Sequence, residues 1–361
     1  MIVRHFFSIL LFFSLLSAAN AQLTFDYNGT ERTYFMDAPD PIPAGAPLVF
    51  VMHGYSSSAG LIRAYSGWDD LALSEGFVAI FPQGTETSGG ASHWNANLGI
   101  STTDDHGFLV ALAQHLQETY GLSADCTYAC GMSNGGYMSY SLACAHPDVF
   151  RAIGSVTGAM SSPDFGCIPE EVVPIVHLHG TADNTVSYDD GVGFGDWGTA
   201  SVPSIVEHWT GLMGTTTLEE STLPNAELVD VTSVDFLRYS GAPGGQEFHH
   251  YRVNGGGHDW FGAWGSPDVN STQVMWDFFS AQCSGAFTDI DESTAHESWL
   301  VRQDNGFVVR RNAQVRIFDV SGRVMASKRM TSGELWNPAV KQIFIVQARD
   351  EGGQVEVLKG H

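Results

Sequence analysis

Apolar residues come in short unbroken blocks along this chain. Residues 47–53 (PLVFVMH), 77–81 (FVAIF), 127–130, 152–156 and 174–178 (PIVHL) show no polar alternation. That is the pattern of strands buried on both faces. Between them, 104–120, 135–145, 203–212 and 272–281 read as helices. Strands alternating with helices predict an α/β fold: a mostly parallel sheet with helices on both faces. Segment 86–100, rich in Gly, Ser and Asn, reads as a surface loop, and so does 188–199. From about Phe287 the texture changes. Segments 306–309, 314–319 and 342–346 alternate between polar turns, which predicts a small all-β module over 300–361 behind a linker at 286–299.

The charge distribution sharpens that boundary. Residues 22–285 hold 5 basic and 30 acidic residues, whereas 286–361 hold 10 of each. The formal net charge of the 361-residue chain is −24. Phosphate backbones and anionic lipid surfaces repel such a chain, so nucleic-acid binding is excluded as a main role.

The first 21 residues start with Arg4 and His5, continue apolar to about Leu16 and end Ala19-Asn20-Ala21. This is the pattern of a secretory signal peptide cleaved before Gln22, and the apolar run is short of the ~20 residues a membrane span needs. The reading is a secreted protein, extracellular or at the cell surface, with no membrane span in the mature chain. Export makes the five cysteines readable as disulfides, one of them left over. Their spacing does not suit a structural zinc.

Gly131-Met132-Ser133-Asn134-Gly135 is a G-x-S-x-G box between a predicted strand and a predicted helix. A tight turn there strains the serine backbone and projects its hydroxyl beyond the sheet edge, next to the free N–H groups of a helix start. Ser133 is therefore the candidate nucleophile. In chain order an acid and then a histidine are expected. Asp183 lies just past the 174–178 strand, with Asp189 and Asp190 as competitors. His258, in Asn254-Gly-Gly-Gly-His258, is the candidate base, on a glycine run read as mobile; His249 and His250 are rivals inside the preceding strand. The backbone N–H groups of Asn134 and Tyr55 are the candidate oxyanion donors, with Ser56 or Ser57 able to replace Tyr55. Trp94, Trp197, Trp260 and Trp264, on loops near strand ends or flanking these residues, are candidate substrate-stacking residues. The chemistry calls for no metal or organic cofactor.

The segments FVMHGYSSSAG (50–60), FVAIFPQG (77–84), HWN (93–95), DDHGFL (104–109), GMSNGGYMS (131–139), HLHGTAD (177–183) and GGGHDW (255–260) together carry a resemblance. Residues 45–283 resemble the secreted α/β-hydrolases called polyhydroxybutyrate depolymerase-like esterases, relatives of the feruloyl and acetylxylan esterases of carbohydrate esterase family 1. The resemblance implies an α/β-hydrolase domain over 22–285 with Ser133 as nucleophile, Asp183 as acid and His258 as base. It also implies a Cys144–Cys167 disulfide. His106 departs from the pattern, where relatives carry an aliphatic residue. A second disulfide, Cys126–Cys283, follows if both residues lie at the bottom of the sheet, and Cys130 is then the free thiol. Residues 300–361, through VRIFDVSGRVMAS (315–327), WNP (336–338) and IFIVQA (343–348), resemble the C-terminal sorting domain of type IX secretion, which implies that machinery as a partner. The expected substrate is an ester, on a plant cell-wall polysaccharide or in a polyester. The expectation from another class is a non-catalytic carbohydrate-binding protein on a hydrolase scaffold.

Overall fold

The computed structural model describes residues 22–191, 199–226, 230–283, 300–303, 306–319, 324–336, 344–350 and 355–360. The expected signal sequence (1–21), the expected linker (286–299) and Trp197 lie outside them. The chain divides into two units, Met1–Phe287 and Thr288–His361.

The larger unit opens with the hairpin β1 (Leu23–Tyr27) and β2 (Thr30–Asp37), followed by β3 (Leu48–Met52), α1 (Ala59–Ser66), α2 (Trp68–Glu75) and β4 (Val78–Pro82). A two-residue ladder, β5 (Thr85–Glu86) with β6 (Ser92–His93), then leads to α3 (Asp105–Tyr120), β7 (Thr127–Met132), α4 (Asn134–Ala145), β8 (Ala152–Val156) and β9 (Ile175–Gly180). The unit closes with α5 (Val202–Met213), β10 (Thr217–Thr222), β11 (Ser233–Ser240), β12 (Phe248–Asn254) and α6 (Ser271–Gln282).

Ten strands form one sheet in the order β1-β2-β4-β3-β7-β8-β9-β12-β11-β10. The six from β4 to β12 run parallel, and antiparallel strands flank them on both sides. Every residue of β3, β4, β7, β8 and β9 is buried, which is why these segments lack alternation. Successive side chains enter opposite layers. Leu48, Phe50 and Met52 pack with α3, α4 and α5, through Leu109, Tyr140 and Trp209. Val49 and Val51 pack with α1, α2 and α6, through Ile62, Trp68 and Phe279. Helices thus cover both faces, α3, α4 and α5 on one and α1, α2 and α6 on the other, and the carboxyl ends of the parallel strands share one edge, where open α/β sheets place their sites.

Two disulfides brace the unit. Cys126 pairs with Cys283 and Cys144 with Cys167, at Cα–Cα distances of 5.1 and 5.9 Å, and Cys130 is a buried free thiol. His106, the departure from the family pattern, is accommodated by a 2.9 Å hydrogen bond between its Nε2 and Ser141 Oγ and by an edge contact with His146.

The smaller unit holds β13 (Leu300–Gln303), β14 (Gly306–Val309), β15 (Ala313–Asp319), β16 (Val324–Met330), β17 (Leu335–Trp336), β18 (Phe344–Asp350) and β19 (Val355–Gly360). They form two sheets, β13-β14-β17 and β16-β15-β18-β19. Phe307, Val309, Ala313, Val315, Ile317 and Met330 are its buried core.

Candidate active site

Ser133 sits between β7 and α4 with φ 54° and ψ −119°, a region that costs a non-glycine residue roughly 1–3 kcal/mol and clusters at functional sites. Ser58, Asp104, Ser201 and Asn270 each cap a helix through the side chain, but Ser133 makes no cap hydrogen bond to α4. Its hydroxyl is not engaged in holding the helix start. The turn is tight because Gly135 permits it: a Cβ there would lie 2.1 Å from the Met52 carbonyl oxygen. Backbone bonds from Ser133 N–H to Val156 O (2.8 Å) and from Tyr137 N–H to Ser133 O (3.0 Å) hold the turn in place.

The end of β3 runs against this turn. A Cβ on Gly54 would lie 3.4 Å from Ser133 Cβ and 4.0 Å from its Oγ, so His53-Gly54-Tyr55 borders the hydroxyl. His53 organises the segment. Its Nε2 accepts the Gly84 N–H (3.0 Å), which leaves Nδ1–H to donate to the Gly54 carbonyl (2.8 Å). Burial pulls this imidazole down to about 4, so it stays neutral and keeps that tautomer near neutral pH. On the other side, Asn134 begins α4, where backbone N–H groups have no partner within the helix. Its side chain grips the Trp94 backbone twice: Trp94 N–H donates to Oδ1 (2.7 Å) and Nδ2 donates to Trp94 O (3.1 Å).

Asp183 follows β9 and His258 follows β12, adjacent strands of the sheet. His258 Nδ1 donates to Asp183 Oδ2 at 2.7 Å. The other carboxylate oxygen accepts the Thr185 and Val186 N–H groups at 2.7 and 2.9 Å. Burial pushes this carboxyl up, but hydrogen bonds from His179 and His258 outweigh it and hold the group well below the usual carboxylate range. The rivals are placed elsewhere. Asp189 and Asp190 are exposed. His249 is bound to Glu247 at 2.7 Å, and His250 is buried against Tyr188 Oη at 2.8 Å.

The glycine run before His258 is not a free swing arm. Gly255 N–H donates to Thr181 Oγ1 (2.9 Å) and Ala182 N–H donates to Gly256 O (2.9 Å), so the His258 loop is stitched to the Asp183 loop. The tryptophans also differ from the stacking expectation. Trp94 and Trp260 are 0% and 1% exposed, which leaves no ring face for a substrate. Trp94 Nε1 donates to His53 O (3.0 Å) and Trp260 Nε1 to Thr272 Oγ1 (3.1 Å). Trp264 remains open to solvent, edge-on to Tyr65 at 4.4 Å. Tyr65, not singled out from the sequence, reaches Met132 Sδ at 3.5 Å, one residue from Ser133. His53 was visible in the sequence only as the first residue of His-Gly-Tyr.

Sheet order, strained serine turn and strand-end site define the class as an α/β-hydrolase. Comparison with known proteins agrees. Residues 65–190 match the prolyl oligopeptidase family, a stretch that includes Ser133 and Asp183. NocK of Nocardia uniformis subsp. tsuyamanensis, a candidate esterase, is 31% identical over 164 residues, 45% of this chain and 48% of its own length. The bifunctional acetylxylan esterase/xylanase XynS20E of Neocallimastix patriciarum is 26% identical over 255 residues, 70% of this chain and 33% of its own. The chain thus spans about half or less of these relatives. Among solved structures, acetyl xylan esterase from Aspergillus awamori superposes with a TM-score of 0.53 at 14% identity, covering 72% of this chain and 99% of that one; this likeness shows the shared fold.

Proposed function

We propose that the chain is a serine hydrolase of carboxylic esters, with Ser133, His258 and Asp183 as its catalytic triad. The observation that carries the reading is a strained serine, its hydroxyl free of cap duty, on the sheet edge that also holds a carboxylate–imidazole pair at 2.7 Å. Ser133 Oγ attacks the ester carbonyl while His258 Nε2 takes its proton. Asp183 fixes Nδ1–H and stabilises the imidazolium that forms. The tetrahedral oxyanion is held by the N–H groups of Asn134 and Tyr55, worth about 3 kcal/mol each in the transition state. Collapse expels the alcohol, protonated by His258, and water releases the acid by the same steps in reverse roles.

The substrate class we favour is an ester of a plant cell-wall polysaccharide, feruloyl or acetyl. It is supported by similarity to the acetylxylan esterase/xylanase above and to feruloyl esterase D of Neurospora crassa, 26% identical over 179 residues. A second reading, polyester hydrolysis, is favoured by the poly(3-hydroxyalkanoate) depolymerase C of Paucimonas lemoignei, 26% identical over 137 residues. Export through the signal sequence, with the C-terminal unit as type IX sorting module, completes the proposal. Two disulfides support an oxidising destination.

The test is hydrolysis of p-nitrophenyl acetate, then of methyl ferulate, acetylated xylan and poly(3-hydroxybutyrate). Ser133→Ala and His258→Ala each lower kcat by about 10⁴-fold or more with the fold intact. Near-wild-type activity in either variant overturns the triad, and hydrolysis of the polyester alone overturns the polysaccharide reading.

A further inference from the structure

Next to Asp183 lies a line of buried polar groups that the triad does not use. His177 and His179 alternate along β9 and point into the layer shared with α4 and α5; both are 0% exposed. Their rings stack at 5.3 Å with 6° between planes. Tyr140 of α4 reaches His177 Nδ1 at 2.7 Å, His177 Nε2 lies 3.2 Å from His179 Nδ1, and His179 Nε2 faces the Val186 carbonyl at 2.9 Å and Asp183 Oδ2 at 3.4 Å.

The proton positions follow from the last step. Both partners of His179 Nε2 are acceptors, so that nitrogen carries the proton and Nδ1 accepts. His177 Nε2 must then donate, its Nδ1 must accept, and the Tyr140 hydroxyl must donate to it. Every proton in the row points toward Asp183, and such aligned bonds polarise one another. Burial holds His177 well below the ordinary histidine range, so its ring is neutral. Asp183 Oδ2 therefore faces two N–H groups, from His258 and from His179.

Resting on the triad reading above, we infer that His179, backed by His177 and Tyr140, is a positioning residue that fixes the Asp183 carboxylate and moderates the charge it presents to His258. The second donor draws negative charge from Oδ2 and so weakens the attraction between Asp183 and protonated His258. Without it the carboxylate acts on His258 undiluted, and the imidazolium becomes harder to deprotonate. The other titratable or charged groups around the row are Tyr137 of α4, Tyr188 after β9, His250 and Arg252 of β12, and Asp259 beside His258.

The experiment is the pH profile of kcat/KM on p-nitrophenyl acetate for the full chain and its His179→Phe and His179→Gln variants. Phe keeps bulk but removes the donor; Gln carries an N–H where His179 has Nε2. In His179→Phe, kcat/KM falls about tenfold, the scale of a hydrogen bond to a charged group, and the acid limb moves up by about half a pH unit or more. KM is unchanged, and His179→Gln restores the wild-type limb. An unmoved limb in His179→Phe, or a Gln variant equal to the Phe variant, overturns the inference. If His179→Phe fails to fold, Tyr140→Phe carries the test: removing that hydroxyl frees His177 to invert and shifts the limb the same way by a smaller amount, and no shift overturns the inference. Ser133→Ala, run alongside, separates the two readings. Activity persisting there refutes the triad, whereas activity lost there with an unmoved limb refutes only the role of His179.

Discussion

Replacing Trp94 by phenylalanine separates a structural tryptophan from a substrate-stacking one. The residue is fully buried, its indole N–H holds the His53 carbonyl at 3.0 Å, and its backbone is clasped by Asn134. It therefore ties the β3 end, with one proposed oxyanion donor, to the start of α4, with the other. Phenylalanine keeps most of the volume but deletes that donor. Leaving a buried carbonyl without its indole partner costs about 1–3 kcal/mol, and the smaller ring adds roughly 1 kcal/mol. For a domain of this size a loss of about 2–4 kcal/mol lowers Tm by about 5–15 °C. A loosened His53–Tyr55 segment lowers kcat about tenfold, because small misplacements of catalytic groups are expensive, while KM on a small ester stays within about twofold. Thermal melts and Michaelis kinetics on p-nitrophenyl acetate and methyl ferulate check this. An unchanged Tm with KM for methyl ferulate raised several-fold would refute the reasoning and return the ring to the substrate.

Arg32 and Asp105 form a buried ion pair at 2.7 Å, and Asp105 also accepts the Asn95 N–H beside Trp94. Arg32→Met leaves that carboxylate uncompensated and lowers stability by about 3–5 kcal/mol in urea titrations; a loss under about 1 kcal/mol contradicts the pairing. Acid sensitivity follows from His53 and His250, held by burial at about 4 and about 3, and from His177, held lower still. These folded-state values lie below the unfolded value of about 6.5, so the unfolded chain binds more protons and stability falls as pH drops below about 6.5. The urea midpoint is therefore markedly lower at pH 5 than at pH 7, and equal midpoints refute neutral burial of these groups. The Met1–Phe287 unit contains every proposed site residue and both disulfides. A chain ending at Gly285 thus keeps kcat/KM on p-nitrophenyl acetate within a few-fold, and a soluble but inactive product contradicts a self-sufficient catalytic unit.

The central sheet was legible where burial on both faces removes polar residues: β3, β4, β7, β8 and β9 read directly as apolar blocks. The flanking hairpins were not. The residues of β10, TLEEST, are all exposed, so no apolar face marks them as a strand. The β1–β2 pair is only half buried and adds to a sheet edge that sequence cannot locate. Helices α1 and α2 are eight residues each and meet at Gly67, whose φ of 75° ends one and begins the next; so short a period is lost in the pattern. At the site, G-x-S-x-G and the strand-end Asp and His stood out because their backbone surroundings are local. The burial of Trp94 and Trp260 is set by which distant segments cover their loops. The direction of the His177–His179 row is set by the Val186 carbonyl and Asp183, and its far end by Tyr140 of α4, 37 residues away in sequence.

The central claim is that Ser133 is the nucleophile. Its most direct test is to treat the full chain with diisopropyl fluorophosphate and map the adduct by peptide mass spectrometry while following p-nitrophenyl acetate hydrolysis. The account predicts one adduct per chain, on the peptide carrying Ser133, formed in step with loss of activity and absent from Ser133→Ala and, at matched times, from His258→Ala. Loss of activity with the adduct on another residue, or labelling of Ser133 that leaves hydrolysis intact, would contradict it.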